Sequence, residues 1–162
     1  MNGDGYSDVA IAAPRYLGGE GVVFVYHGSA SGISEPATTA LRAFQANALF
    51  GSGGVSTAGD FDGDGYSDVV VGAPNFANGQ SLEGAAFLFL GSATGIVNPT
   101  GTIGTHGLDG NQIGGSFGGA VSGVGDVNGD GLGDLLIGSP GYDDRLTAFL
   151  SAMVCGTPAR GT

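Results

Sequence analysis

Three acidic loops are the part of this sequence whose residue types and spacing could do chemistry. They read Asn-Gly-Asp-Gly-Tyr-Ser-Asp at 2–8, Asp-Phe-Asp-Gly-Asp-Gly-Tyr-Ser-Asp at 60–68 and Asp-Val-Asn-Gly-Asp-Gly-Leu-Gly-Asp at 126–134. A hard cation needs oxygen ligands from a short loop, here at positions 1, 3, 5 and 9, with a glycine at position 6 for the sharp turn. The pattern therefore predicts calcium loops.

Each loop offers side-chain oxygens at these positions and a main-chain carbonyl at position 7. The candidate ligands of the second loop are Asp60, Asp62, Asp64, the Tyr66 carbonyl and Asp68. Those of the third loop are Asp126, Asn128, Asp130, the Leu132 carbonyl and Asp134. Those of the first loop are Asn2, Asp4, the Tyr6 carbonyl and Asp8, and its position 1 would precede Met1.

We predict Ca²⁺ as the cofactor, with about two well-formed sites and a third that is incomplete. The amide at position 3 of the third loop removes one negative charge, which predicts weaker binding there than in the second loop. We expect the ions to stabilise the fold rather than to catalyse a reaction.

Other loops share this acidic core. A helix-loop-helix calcium hand needs a bidentate acid at position 12, but that position holds Val71 and Ile137 here. Dockerin-like modules fail in the same way, because a β-branched strand stands where a helix should follow. Magnesium and a metal-free acidic turn remain as alternatives, although many protein oxygens favour calcium, and unoccupied carboxylates would repel one another.

The composition indicates a β protein without a nucleic-acid or membrane partner. The chain has 162 residues, of which 35 are glycine and 41% are hydrophobic, and this suits short strands joined by tight turns. The formal net charge is -11, with only four Lys and Arg residues to meet phosphates. No apolar run reaches the length of a membrane helix.

The loops recur at intervals of 60 and 66 residues, within a longer repeat. Short apolar strands that end in proline follow them at 9–14, 69–74 and 135–140, and further strands follow at 21–29 and 84–92. Phe-Gly pairs precede the complete loops at 50–51 and 117–118. We expect outer strands at Leu41–Gln45 and Thr102–His106, and a degenerate strand around Leu146–Leu150.

Each full unit thus contains four antiparallel strands, with the metal loop joining the first strand to the second. Sheets of this kind, packed radially, form a β-propeller. We predict an all-β chain of about two and a half blades of a larger propeller. It comprises a partial blade lacking its first strand at 1–46, a complete blade at 47–113, a partial blade at 114–152 and an irregular tail at 153–162.

Several motif blocks recur in order and resemble the FG-GAP repeat of integrin alpha-chain propellers and related bacterial extracellular proteins. In the complete unit the blocks are Phe50-Gly51, 60–68, Gly72-Ala73-Pro74 and 84–91. The resemblance covers residues 2–150. It implies a propeller, usually seven-bladed, with calcium on one face and partner loops commonly on the other. Because Met1 falls inside the first loop, we expect a fragment of a longer protein.

These observations favour a non-catalytic, calcium-stabilised extracellular propeller, secreted or at the cell surface, that serves adhesion or ligand binding. The alternatives are an accessory propeller of a secreted hydrolase, with its catalytic domain outside this chain, and a fragment without independent function. The ligand, a protein or a glycan, would contact variable loops such as 30–39 and 75–83. Open blade edges also predict self-association.

One pattern imitates an enzyme. Gly114–Gly118 matches the Gly-x-Ser-x-Gly nucleophile elbow, which requires a preceding strand and a following helix. Here a glycine-rich strand follows, so we interpret the match as coincidental. His27 and His106 are expected to be ordinary surface or edge residues.

Overall fold

Ten strands in three antiparallel sheets form the described part of the molecule. A computed structural model of the protein describes residues 1–97 and 106–143 and the backbone of 152–155. The first sheet contains β1 (Val9–Ala13), β2 (Val22–Tyr26) and β3 (Thr39–Leu41). The second contains β4 (Val55–Gly59), β5 (Asp68–Ala73), β6 (Ala85–Phe89) and β7 (His106–Asp109). The third contains β8 (Ala120–Gly125), β9 (Asp134–Gly138) and β10 (Ala152–Cys155).

Neighbouring strands in each sheet follow chain order, as expected for propeller blades. The middle sheet has the order β4-β5-β6-β7, and its acidic loop joins β4 to β5. The helix α1 (Tyr16–Gly19) is one turn between β1 and β2, in which Leu17 and Gly18 have positive φ. The all-β blade architecture is therefore confirmed.

The outer strands lie elsewhere than predicted. β3 ends at Leu41 rather than beginning there, since Phe44 has a φ of 52° that an extended strand does not allow. β7 begins at His106, where the predicted strand ends, and pairs with β6 as far as Asp109. Of that predicted strand, residues 102–105 lie outside the described part of the chain.

The tail also departs from the prediction of an irregular segment from residue 153. Ala152–Cys155 form β10, which pairs with β9 in the register Met153↔Ile137. This pairing supplies partners to backbone groups on the outer edge of β9, which an irregular tail would leave unpaired. The degenerate strand expected around Leu146–Leu150 and the rest of the tail lie outside the described residues. The predicted blade boundaries stay predictions.

Aromatic and aliphatic side chains fill the space between the sheets. Phe50 is fully buried between the first two sheets, 5.9 Å from Phe87 and 6.0 Å from Phe89 between ring centroids. A second cluster between the second and third sheets contains the buried Leu135 and Ile137. Aromatic side chains of β6 thus help to fill the space between the first two blades.

The Phe-Gly blocks dock each blade on the blade before it. The Phe50 N–H donates to the Glu20 carbonyl at 3.1 Å, and the Phe117 N–H donates to the Glu83 carbonyl at 2.8 Å. A Cβ on Gly84 would overlap the main chain of Phe117, so this approach requires glycine. The blocks thus fix the spacing of the sheets and, with it, the spacing of the acidic loops.

Candidate metal centre

The Asp60 carboxylate organises the second loop. Its Oδ1 accepts hydrogen bonds from the N–H groups of Gly63 at 2.8 Å and Asp64 at 3.0 Å. Its Oδ2 accepts one from the Gly65 N–H at 2.9 Å. The chain is therefore wound around the side chain at position 1.

Asp68 closes the loop at the start of β5 and is 0% exposed. Its Oδ2 accepts from the Phe61 N–H at 2.7 Å, and its Oδ1 accepts from the Gly91 N–H at 2.8 Å. Burial raises the pKa of this carboxyl, the charges of Asp62 and Asp64 add to the rise, and the two N–H groups oppose it. A nearby cation would offset this cost of ionisation.

Three of the four predicted carboxylates of this loop come together. One oxygen from each of Asp60, Asp62 and Asp68 lies within 4.8 Å of the others. Asp64 lies outside this group, and its Oδ1 accepts from the Tyr66 N–H at 2.9 Å. Converging carboxylate oxygens, one of them buried at a cost, fit a hard divalent cation.

The third loop has the same pattern of hydrogen bonds. Asp126 accepts from the N–H groups of Gly129 at 2.6 Å, Asp130 at 3.1 Å and Gly131 at 2.8 Å. These bonds, led by the one from Gly131, lower the pKa of Asp126. Asp134 is buried, and its Oδ2 accepts from the Val127 N–H at 2.7 Å.

Two features of the third loop bear on a cation. Within the described part of the chain, the Asp134 Oδ1 is buried without a hydrogen-bond partner, so this oxygen lacks compensation there. The Asn128 amide donates from Nδ2 to the Asp130 Oδ2 at 3.1 Å, and the Asn128 Oδ1 accepts from the Asp130 N–H at 2.9 Å. The Leu132 N–H donates to the Asp130 Oδ1 at 2.9 Å. The Asn128 amide thus stands where the second loop has the charged Asp62, and it is hydrogen-bonded to Asp130.

The first loop has the same closing contacts without a position 1. The Asp8 Oδ2 accepts from the Asn2 N–H at 3.1 Å, and its Oδ1 accepts from the Gly28 N–H at 3.0 Å. Asp4 accepts from the Tyr6 N–H at 3.0 Å and from the Asn2 amide at 2.9 Å, and these bonds lower its pKa. The loop therefore keeps its shape without the carboxylate that organises the other two.

Gly28 and Gly91 belong to the site through their main-chain N–H groups, and they were not predicted from the sequence. Gly28 lies just past β2 and Gly91 just past β6. The N–H group of each donates to the carboxylate at position 9 of the loop in its own blade. A signal was present, because a Gly-Ser pair follows the strand in both units. The loop is thus braced by its own blade.

The side chains at position 7 link one loop to the next. A Cβ on Gly3 would lie 2.8 Å from the Cε1 of Tyr66, and one on Gly63 would lie 3.0 Å from the Cδ2 of Leu132. The Gly133 N–H donates to the Asp60 carbonyl at 2.8 Å. Sequence reasoning assigned only main-chain carbonyls to these position-7 residues. Their side chains pack the loops into one row.

The enzyme-like pattern has the geometry of the repeat. Ser116 has a φ of 51°, and Leu49, which precedes the other Phe-Gly pair, has a φ of 53°. The strand β8, rather than a helix, follows Gly114–Gly118. The His27 Nε2 is buried without a hydrogen-bond partner among the described residues, and the ring lies against Gly95. The strand that follows the pattern does not match the strand–turn–helix context that a nucleophile elbow requires.

The fold and the loops define an array of antiparallel propeller blades that carry acidic loops at their first turns. The family model of the FG-GAP repeat matches residues 1–26, 52–87 and 117–150. The chain therefore belongs to the FG-GAP repeat family.

Curated relatives are integrin alpha chains. The chain is 35% identical over 149 residues to integrin alpha-PS5 of Drosophila melanogaster. This alignment covers 88% of this chain and 14% of the relative. It is 33% identical over 144 residues to integrin alpha-4 of Xenopus laevis, covering 86% and 13%. It is 32% identical over 151 residues to integrin alpha-V of Gallus gallus, covering 88% and 14%. The chain thus spans about one seventh of the length of these relatives.

Within the described residues, no helix has the length and apolar character needed to cross a membrane.

Proposed function

We propose that the chain is a calcium-stabilised, non-catalytic propeller module of an extracellular or cell-surface protein, serving adhesion or ligand binding. The observation that carries the proposal is the convergence of the Asp60, Asp62 and Asp68 oxygens within 4.8 Å, in a loop that packs against its neighbours. The similarity to integrin alpha chains supports the adhesive role.

Calcium, when bound, would supply the positive charge that the converging carboxylates lack. The residues of the chain do the rest. Asp60 shapes the loop through three N–H groups, and Asp68 anchors it to the end of β6 through Gly91. Tyr66 and Leu132 would offer their carbonyls while their side chains pack on the preceding loop. A bound ion would therefore hold adjacent blades together as well as its own loop.

The expected size of the effect fits an extracellular protein. With a dissociation constant of about 0.1 mM and free calcium of about 1 mM, each occupied loop contributes about 1.4 kcal/mol to the free energy of unfolding. Inside a cell, where free calcium is far lower, a site of this affinity would contribute little.

The loop 75–83 is the better candidate for ligand binding, because it lies at the end of its blade opposite the calcium loop. It joins β5 to β6, whereas the acidic loop of that blade joins β4 to β5. In an antiparallel sheet these two turns leave opposite ends. The loop 30–39 joins β2 to β3 and so lies at the calcium end, which makes it the weaker candidate of the two variable loops.

The test is a calcium titration of the whole chain by calorimetry, with thermal melting in calcium and in chelator. We expect about two ions bound by the acidic loops of each chain and a higher melting temperature with calcium. Replacing Asp62 and Asp130 together by Ala should remove the calcium binding of these two loops and the stabilisation that it gives, while the exposed Glu35→Gln should change neither. An unchanged calcium response in the double variant would refute the proposal.

A further inference from the structure

Glu83 is a buried carboxylate that the calcium loops do not use. It precedes β6, and its side chain is 0% exposed. Its Oε1 accepts hydrogen bonds from the N–H groups of Asn78 and Gln80. Its Oε2 is buried and has no hydrogen-bond partner among the residues that the structure describes. A buried carboxylate oxygen without a donor or a cation is unfavourable, so its environment calls for an explanation.

The first blade shows what belongs at this position. Glu20 precedes Gly21 and β2, as Glu83 precedes Gly84 and β6. The Glu20 carboxylate accepts two hydrogen bonds of 2.8 Å from Arg42, one at each oxygen. This contact raises the pKa of Arg42. In the first blade both oxygens of the glutamate are thus neutralised by a guanidinium group from the same chain.

The second blade has an acid where the first has that arginine. Leu41, the partner of Val23, is followed by Arg42, and Leu108, the partner of Ala86, is followed by Asp109. Val23 and Ala86 are the second residues of β2 and β6, so Arg42 and Asp109 hold equivalent places. The repeat has therefore exchanged the cation for a second carboxylate.

Asn78 connects the two acids. Its main-chain N–H donates to the Glu83 Oε1, and its side-chain amide donates from Nδ2 to the Asp109 Oδ2 at 2.8 Å. Asn78 and Asp109 line a cleft of about 200 Å³, together with Phe76 and Phe87. A small ion can reach Asp109 through this cleft, which borders the loop that holds Glu83.

We propose that Glu83 and Asp109 bind a hard divalent metal cation, which does in the second blade what Arg42 does in the first. Among the described residues the two arginines are Arg42, which is paired with Glu20, and Arg15, which is exposed on the first blade. The site lies by the loop between β5 and β6, apart from the calcium loops, and is independent of the proposed function.

The test uses the full chain with its three loops disabled by Asp4→Ala, Asp62→Ala and Asp130→Ala, which remove the ligand oxygen altogether. Calorimetric titration with calcium should show about one remaining ion per chain. Asp109→Arg, which rebuilds the pair of the first blade, should abolish this binding and raise the melting temperature in chelator. Asp109→Asn should abolish the binding without the rise, and Glu35→Gln should leave the binding intact.

The proposal is overturned if the loop-disabled chain, folded by circular dichroism, binds no calcium or keeps its remaining ion in Asp109→Arg. It is also overturned if guanidinium ion, and not calcium, raises the melting temperature in an Asp109-dependent way, because the site would then accept a basic side chain of a partner. Failure of the loops themselves gives a different result, in which disabling them leaves the total calcium count unchanged.

Discussion

The ring of Tyr66 lies over Gly3, and this contact joins the acidic loops of the first two blades. A Cβ on Gly3 would lie 2.8 Å from the Cε1 of Tyr66, and Gly3 has a φ of 70°. Leu132 and Gly63 make the same contact between the next two loops. The glycine at position 4 therefore provides both a left-handed turn and a surface for the neighbouring blade.

Removing the ring should destabilise the chain. We expect Tyr66→Ala to lower the free energy of unfolding by about 1–2 kcal/mol, because the apolar contact between the loops is lost. Tyr6→Ala is the matched control, since Tyr6 holds the same position in its loop and is 50% exposed, and it should change stability by less than about 0.5 kcal/mol. Urea unfolding measures both, and equal losses would contradict the contact.

Gly3→Ala should cost more than Gly5→Ala. Both glycines have positive φ, 70° and 89°, so both substitutions carry the backbone cost of a left-handed conformation. Only Gly3 faces Tyr66, whereas a Cβ on Gly5 would meet nothing within 4 Å. The excess should be about 1 kcal/mol in urea unfolding and should vanish in the background of Tyr66→Ala. An excess that persists there would place its origin elsewhere.

Exchanging the position-3 residues should exchange the calcium affinities of the second and third loops. Asp62→Asn removes a converging negative charge and should weaken the second loop by roughly tenfold, whereas Asn128→Asp should strengthen the third by a similar factor. In chelator the same Asn128→Asp change should lower stability, because a carboxylate would replace the amide that donates to Asp130. Calorimetry and melting in chelator test the two signs, and a third loop unaffected by Asn128→Asp would contradict the assignment.

The calcium-free chain should show the cost of ionising Asp68. Burial raises the pKa of this carboxyl above its usual value of 3.8, so the folded state holds the proton more tightly than the unfolded state. Its contribution to stability is therefore present at low pH and falls as pH rises through 3.8 towards the folded pKa. The stability of the unsubstituted chain minus that of Asp68→Asn should fall over this interval in chelator.

Urea unfolding of both chains across about pH 3.5–6.5 measures that difference. Added calcium should reverse the trend, because the ion binds the ionised carboxylate. A difference that rises with pH in chelator would contradict the direction of the shift.

Phe50 should be worth more to stability than any exposed ring. It is fully buried against Phe87 and Phe89, so Phe50→Ala should cost about 3–5 kcal/mol. Phe44 is exposed and its ring faces the Arg42 guanidinium, so Phe44→Ala should cost less than about 1 kcal/mol. Similar costs, measured by urea unfolding, would mean that Phe50 is not a centre of packing between the blades.

What the sequence predicts well is local in the chain. The acidic loops, the apolar strands after them and the Phe-Gly blocks can be recognised because their determinants lie within a few residues, and each recurs. The glycine N–H groups that hold the position-9 carboxylates could not be recognised in this way. Gly28 is 20 residues from Asp8, and Gly91 is 23 residues from Asp68.

The outer strands failed for a related reason. Their positions depend on which residues of β2 and β6 remain to be paired, and not on a strong pattern of their own. The Glu83 and Asp109 pair became visible only once the register placed Asp109 where Arg42 stands in the first blade. Repeats can be compared residue by residue only when their strands are aligned. The outer strands β3 and β7 have too weak a sequence pattern to be aligned without the structure.

The hydrogen bond from the Gly133 N–H to the Asp60 carbonyl gives the row of loops a direction. Each loop receives contacts from the blade that follows it, since Tyr66 reaches back to Gly3 and Leu132 reaches back to Gly63. Loosening the second loop should therefore affect both neighbours, because the first loop loses the Tyr66 contact and the third loses the surface on which Leu132 packs. Disorder that starts at an emptied calcium loop would therefore reach the blades on both sides of it.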